Sequence, residues 1–218
     1  MSTQAKRSVA IIGAFVLVLL GVLSLGAITD DEPKTTPAAT GESQLVRADS
    51  HVLGEEGDSD VTFVEFLDFE CEGCRAAYPA VEQLREEYAG RVTFVARYFP
   101  MPGHFNGERA ARAVEAAAQQ GKFEDMYHRM YETQTQWGEQ QVPADDVFTG
   151  FAEDLGLDMD QWKADYNDPA TAERVAKDVA DGQALGVQGT PTFFVDGAQL
   201  QPRTYEDLTD ALDAALAG

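Results

Sequence analysis

An apolar run over residues 61–69 ends in Cys71-Glu72-Gly73-Cys74 and continues as a helix-like stretch over residues 75–88. These are the only two cysteines among 218 residues. A run apolar at nearly every position suits a strand covered on both faces. A strand that ends on C-x-x-C and feeds a helix puts the first sulfur at the helix N-terminus. The unpaired N–H groups and positive dipole end there stabilise a thiolate, which is the reactive form in disulfide exchange. The second cysteine, one turn on, can close a disulfide. This is the layout of a dithiol redox site.

Other fates of the pair fit less well. A structural zinc site takes four ligands, often as two such pairs. Here there is no second pair, and the three histidines, His51, His104 and His128, are scattered. A static disulfide closing so small a loop restricts the unfolded chain little. Glu72 and Gly73 are poor neighbours for two inert core thiols. No cofactor beyond a redox-active Cys71–Cys74 disulfide is expected, and no metal.

The formal charge of −22 argues against nucleic acid as a partner, because phosphate contacts need Lys and Arg. An acid excess of this size suits a solvated, self-repelling surface; a high-salt habitat is a sharper reading of the same excess. Lys6 and Arg7 precede an uncharged apolar run over residues 8–29. At roughly 1.5 Å per residue it can cross a bilayer core of about 30 Å. The basic flank, with Asp30, Asp31 and Glu32 on the other side, keeps residues 1–7 in the cytoplasm. We therefore expect a transmembrane signal anchor at 8–29. The rival is a cleaved signal peptide, for which the run is long against the usual 7–15 or so apolar residues, though Ser24-Leu25-Gly26 supplies a small-x-small pattern. Either reading exports the rest of the chain to where disulfides persist. The expected location is the cell membrane, single-pass, with the folded domain on the extracytoplasmic side.

Residues 30–44 are rich in Pro, Thr, Ala, Gly and acid and read as a flexible tether. The folded domain is expected over 45–218. A short first segment is expected at Leu45-Val46-Arg47, and residues 49–60 read as a loop. Residues 91–99 form a second buried strand, closed by Pro100-Met101-Pro102-Gly103, so the first unit is β-α-β with parallel strands. A helical insertion follows over about 104–186. Asn106 caps a helix to Gln119; the next, over 123–136, carries Phe123, Met126, Tyr127, Met130 and Tyr131 at helical spacing. Short helices are expected at 145–155 and 158–166, and Asp168-Pro169 opens a longer one. Strand signals return at Thr192-Phe193-Phe194-Val195, with a turn at Asp196-Gly197 and a partner strand at 198–200. Thr204 opens a last helix with Leu208, Leu212 and Leu216 on one face.

Four features in this order resemble the thioredoxin-fold superfamily, and within it the DsbA-like thiol-disulfide oxidoreductases with a helical insertion. They are Cys71-Glu72-Gly73-Cys74 at the strand-to-helix junction, Pro79 five residues beyond Cys74, Gly189-Thr190-Pro191 before a strand, and the helical block between the halves. The resemblance covers about 45–218 and implies an α/β fold: a central mixed sheet flanked by helices, preceded here by one transmembrane helix. It implies that Pro191 carries a cis peptide bond and that this loop lies against the dithiol, with Thr190 backbone groups offered to an extended substrate. Cys71 would be the nucleophile and Cys74 the resolving thiol. Glu65 interrupts the apolar strand; buried, it should have a raised pKa and exchange a proton with Cys74. The other reading of Glu65 is a side chain reaching solvent at a sheet edge.

The implied function is an extracytoplasmic thiol-disulfide oxidoreductase exchanging disulfides with exported proteins, as an oxidase. A reductase or isomerase with the same site is the alternative, and a non-catalytic metal carrier or holdase a second one. The implied partners are reduced or misoxidised exported proteins and a membrane redox partner that recycles the dithiol. Glu72, with Glu70 and Asp68, is expected to raise the thiolate pKa and make the pair a milder oxidant than the strongest members. His104 is expected as a loop or cap residue, and His128, Trp137 and Trp162 as packing.

Overall fold

The computed structural model describes residues 44–218; the expected anchor at 8–29 lies outside the described residues, as does the tether up to residue 43. Five strands, β1 (His51–Val52), β2 (Thr62–Leu67), β3 (Thr93–Tyr98), β4 (Thr192–Val195) and β5 (Ala198–Gln199), form one sheet in the order β1-β3-β2-β4-β5. β2 and β3 are parallel, as expected for strands joined through a helix, and the remaining pairs are antiparallel. The sheet is thus mixed, with β2 at its centre.

Seven helices are described: α1 (Glu72–Glu87), α2 (Gly107–Ala118), α3 (Phe123–Trp137), α4 (Asp145–Asp154), α5 (Met159–Asn167), α6 (Pro169–Ala184) and α7 (Tyr205–Ala217). Helices α2 to α6 lie between β3 and β4 in sequence, where the insertion was expected. α2 packs on α3, α5 and α6. Their limits follow local chemistry. Asp158 caps α5 by accepting from the N–H groups of Asp160 and Gln161. Asp168 caps α6, whose first residue is Pro169. Thr204 and Asp207 form a reciprocal capping box at α7. Among the described residues no helix is long and apolar enough to cross a membrane.

The strands alternate between two cores, as period-two side chains must. Phe63 and Leu67 of β2 join Phe94, Tyr98 and the insertion on one face, while Val64 and Phe66 join Val95, Phe99 and Phe194 on the other. Glu65 shares its face with Phe63 and Leu67, towards α1.

Two expectations are corrected. β1 falls inside residues 49–60, read as a loop. Only two residues pair there, His51 with Ala96 and Val52 with Val95, too few to show alternation in sequence. The short first segment at 45–47 is an ordered non-strand stretch with Leu45 buried. It is held by Arg97, whose Nη1 donates to the carbonyls of Gln44 (2.9 Å) and Leu45 (2.6 Å). Asn106 stands at the N-cap of α2 but makes no side-chain cap bond. Its side chain instead accepts from Ala144 N–H and donates to the carbonyls of Gln140 and Val142, tying down the approach to α4.

Arg97 is fully buried and meets Asp178 (2.8 Å) and Asp181 (2.6 Å) of α6. Losing one partner of a buried ionic cluster leaves a charge uncompensated, so such a cluster locks α6 to the sheet. The same helix approaches closely at Gly182, where a Cβ would lie 2.7 Å from the Phe99 ring and 3.0 Å from that of Phe66. Gly182→Ala should therefore destabilise the fold by about 1–3 kcal/mol through overpacking, read from the midpoint of urea unfolding at unchanged m-value.

Candidate active site

β2 delivers the chain to the dithiol through a tight turn. Cys71 N–H donates to the Asp68 carbonyl (3.1 Å), and Cys71 then stands as the N-cap of α1 with extended backbone. α1 continues through Pro79 to Glu87. The insertion reaches back to hold this turn: Gln134 of α3 donates from Nε2 to the carbonyls of Phe69 (2.7 Å) and Cys71 (2.9 Å), and accepts from Arg75 (3.0 Å). Gln134 was not foreseen. Its signal was available, since it is a polar residue three positions after Tyr131 on the buried stripe of α3.

Both cysteines are free thiols, Cys71 half-buried and Cys74 buried. The Cys71 thiol donates to the Thr190 carbonyl at 3.3 Å, and the Thr190–Pro191 peptide bond is cis, so the loop lies against the dithiol as the resemblance implied. Gly73 lies beside this contact: a Cβ there would sit in van der Waals contact, 3.4 Å from both the Cys71 sulfur and Pro191 Cδ.

The two sulfurs are pushed in opposite directions. Cys71 is pulled from 9.0 down to about 5. The Cys74 thiol donating to its thiolate is the largest cause; burial opposes it, and the Thr190 hydroxyl and the N–H groups of Cys74 and Gly73 add to it. Cys74 is raised well above the ordinary thiol range, first by burial, then by its bond to Cys71 and the charges of Glu65 and Cys71. One turn of helix therefore separates a thiolate from a thiol at neutral pH.

Glu65 is 2 % exposed on the central strand, so the sheet-edge reading is overturned. Burial pushes its carboxyl from 4.5 up to about 8, with the charges of Glu82 and Cys71 adding to it. Its Oε2 has no hydrogen-bond partner among the described residues. A neutral carboxyl in electrostatic contact with Cys74 is suited to giving and taking that thiol's proton.

The acidic neighbours do not act as expected. Glu72 is exposed, where water and salt screen it. Glu70 and Asp68 are buried, and their oxygens are engaged. Glu70 accepts from Asn106 N–H (2.6 Å) and Glu139 N–H (3.1 Å). Asp68 accepts from the N–H groups of Glu70 (2.9 Å) and Met101 (2.8 Å), and meets His104 Nδ1 at 2.5 Å. The expected rise of the Cys71 thiol is thus replaced by a fall, and His104 is an ion-pair partner beside the dithiol, beyond the loop role expected of it. Among the described residues no group of three or more metal-ligating side chains comes together. Trp137 and Trp162 pack the insertion, whereas His128 accepts or donates at Tyr78 OH (2.8 Å) on α1.

Two measurements test this electrostatic arrangement. Ultraviolet thiolate absorbance of the reduced protein should titrate with a midpoint near 5 for Cys71, far below that of a free thiol. For Glu65, the unfolded carboxyl ionises near 4.5 while the folded one holds its proton to about 8. The folded state then binds more protons across that window, so stability falls as pH rises through it. Glu65→Gln should remove this slope and gain about 3 kcal/mol relative to wild type at pH 7, measured by urea unfolding at several pH values.

A family model described as Thioredoxin, Thioredoxin_4, matches residues 47–214. A thioredoxin-like oxidoreductase from Silicibacter pomeroyi shares 33% identity, with a TM-score of 0.67 over 81% of this chain and 97% of that one. The thiol-disulfide exchange protein alpha-DsbA2 from Wolbachia pipientis (22% identity, TM-score 0.67, 79% of this chain and 90% of that one) shares the fold. So does BdbD from Bacillus subtilis (23% identity, TM-score 0.67, 75% of this chain and 92% of that one). Among curated relatives, a Na(+)/H(+) antiporter NhaA from Herminiimonas arsenicoxydans is 38% identical over 77% of this chain. The chain spans about a quarter of that protein's length, 26%. With the Thioredoxin_4 match covering most of its length, and an insertion-bearing DsbA-like fold around its dithiol, the chain belongs to the thioredoxin family.

Proposed function

We propose that the protein is an extracytoplasmic thiol-disulfide oxidoreductase that donates disulfides to exported proteins through Cys71 and Cys74. The observation that carries this reading is the opposite tuning of the two sulfurs beside the cis-proline loop. In the disulfide form, a substrate thiolate attacks the Cys71 sulfur. The Cys71–Cys74 bond breaks, and Cys74 leaves with a proton taken from the Glu65 carboxyl. A second substrate thiol loses its proton and attacks the substrate sulfur of the mixed disulfide. The substrate disulfide forms, and Cys71 leaves as a thiolate. Two electrons pass from the substrate dithiol to the protein; of the two substrate protons, one replaces that given to Cys74 and the other goes to solvent.

The low Cys71 pKa supports the oxidising direction, because it makes Cys71 a good leaving group and stabilises the reduced protein. Glu65 serves Cys74 in both half-reactions. Thr190 and Pro191 offer an extended substrate backbone a place beside Cys71, a strand-addition mode that tolerates many sequences. A membrane redox partner would take the two electrons and restore the disulfide. The export segment at 8–29 supports single-pass membrane anchorage with the domain outside. The antiporter name of the curated relatives describes proteins far longer than this chain, and no transport role is proposed from it.

The test is oxidation of a reduced, unfolded protein substrate by the purified protein, with glutathione equilibrium for direction. Wild type, added as the disulfide, should restore native disulfides, Cys71→Ser should lose all exchange, and Cys74→Ala, given oxidised glutathione as the disulfide donor, should accumulate a mixed disulfide at Cys71. Equal behaviour of wild type and Cys71→Ser would sink the enzyme reading. An equilibrium lying far towards the protein disulfide would reverse the direction to reductase.

A further inference from the structure

We propose that His104 is a positioning residue of the dithiol: through its ion pair with Asp68 it holds an imidazolium charge at the active-site turn that favours the Cys71 thiolate. The inference rests on the reading that Cys71 and Cys74 cycle between dithiol and disulfide.

The geometry centres on Asp68. Its carbonyl accepts from Cys71 N–H (3.1 Å), and its N–H donates to the Cys74 sulfur (3.5 Å), so its backbone touches both redox residues. Its carboxylate side chain is fully buried, and His104 is its one side-chain partner among the described residues. Gly107 closes over it: a Cβ at that position would lie 2.9 Å from Asp68 Oδ1. A buried carboxylate with a single imidazole partner favours the charged imidazole, and because one side of the ring lies on this buried group, solvent screens its charge only in part.

His104 is a quarter exposed, so it exchanges protons with solvent. Its imidazole is pushed up to about 9, first by the hydrogen bond to Asp68, against opposing burial, and then by the charges of Asp68, Cys71 and Glu70. The charged groups around it are Asp68 and Glu70 on the turn and Cys71 at the start of α1; Glu108, Arg109 and Arg112 of α2, Asp145 of α4 and Glu173 of α6 line its recess.

The coupling is reciprocal. When a substrate dithiol reduces the disulfide at neutral pH, two electrons and one proton enter. The sulfur–sulfur bond breaks, Cys74 takes the proton, and Cys71 stays a thiolate. Negative charge is present on Cys71 only in the reduced form. His104 then binds its proton more tightly in the reduced protein, and by linkage the imidazolium favours reduction. The dithiol is a stronger oxidant with His104 charged than with it neutral.

The experiment follows the His104 imidazole by NMR titration in the chemically reduced and glutathione-oxidised forms of wild type, with His104→Asn assigning the signal. Its midpoint should be lower in the disulfide form. His104→Asn keeps a donor for Asp68 without the charge. Its equilibrium constant with glutathione should move about tenfold towards the protein disulfide, roughly 30 mV for this two-electron couple. His104→Lys should recover part of that shift. Equal midpoints in the two redox forms, or a glutathione equilibrium unchanged in His104→Asn, overturn the inference. If His104→Asn fails to fold, His104→Lys assigns the signal and the wild-type titration decides. A wild type that exchanges no thiols with glutathione overturns the dithiol reading itself. One that exchanges normally while His104 titrates identically in both forms overturns only the role of His104.

Discussion

The Asp68 peptide is the point through which strand, dithiol and insertion are joined. Its carbonyl receives the Cys71 N–H, its own N–H reaches the Cys74 sulfur, and its carboxylate gathers Met101 N–H and His104. A buried carboxylate needs such partners, because unpaired it would carry the full cost of desolvation. Satisfying it forces the segment after β3 to fold back over the end of β2. That segment leads directly into α2, so the placement of the insertion over the dithiol and the shape of the turn that carries it are set together. Gln134 repeats the logic from α3 with neutral groups, donating to the Phe69 carbonyl and adding a second donor to the Cys71 carbonyl, which also accepts from Arg75 N–H.

Burial then does chemistry that exposed residues of the same types would not do. Three titratable groups lie within one face of the sheet and one turn of helix. Desolvation drives Glu65 and Cys74 towards their neutral forms. Cys71, only half-buried, faces donors and goes the other way. Groups whose pKa values are pushed apart in a shared site can divide the roles of leaving group and proton carrier between them. The separation depends on a difference in depth of one helical turn.

Much of this was legible from local patterns. The β-α-β unit, the boundaries set by Asp158, Asp168-Pro169 and Thr204, and the aromatic stripe of α3 all stand within three residues of where periodicity and capping put them. Glu65 was recognisable because a lone acid in a continuous apolar run must be either buried and perturbed or at an edge. What could not be read were features made by partners distant in the chain. β1 is two residues long and exists because β3 offers an edge. Asn106 has the composition of a cap, yet its side chain is claimed by the approach to α4. Arg97 looks like an error in a strand until Asp178 and Asp181 arrive from α6.

The acidic residues around the dithiol show the division most clearly. The sequence by itself determined that Cys71 and Cys74 lie at a strand-to-helix junction, that an acid sits inside the central strand, and that Gly189-Thr190-Pro191 precedes another strand. These follow from short-range spacing, which backbone geometry converts directly into position. It could not determine the sign of the field at the sulfur. Counting Asp68, Glu70 and Glu72 as negative neighbours gives a raised thiol, whereas in the fold two of them are buried against N–H groups, one of these also meeting His104, and the third is in water. Electrostatic effect depends on distance, depth and pairing in three dimensions, and only the tertiary structure decided those.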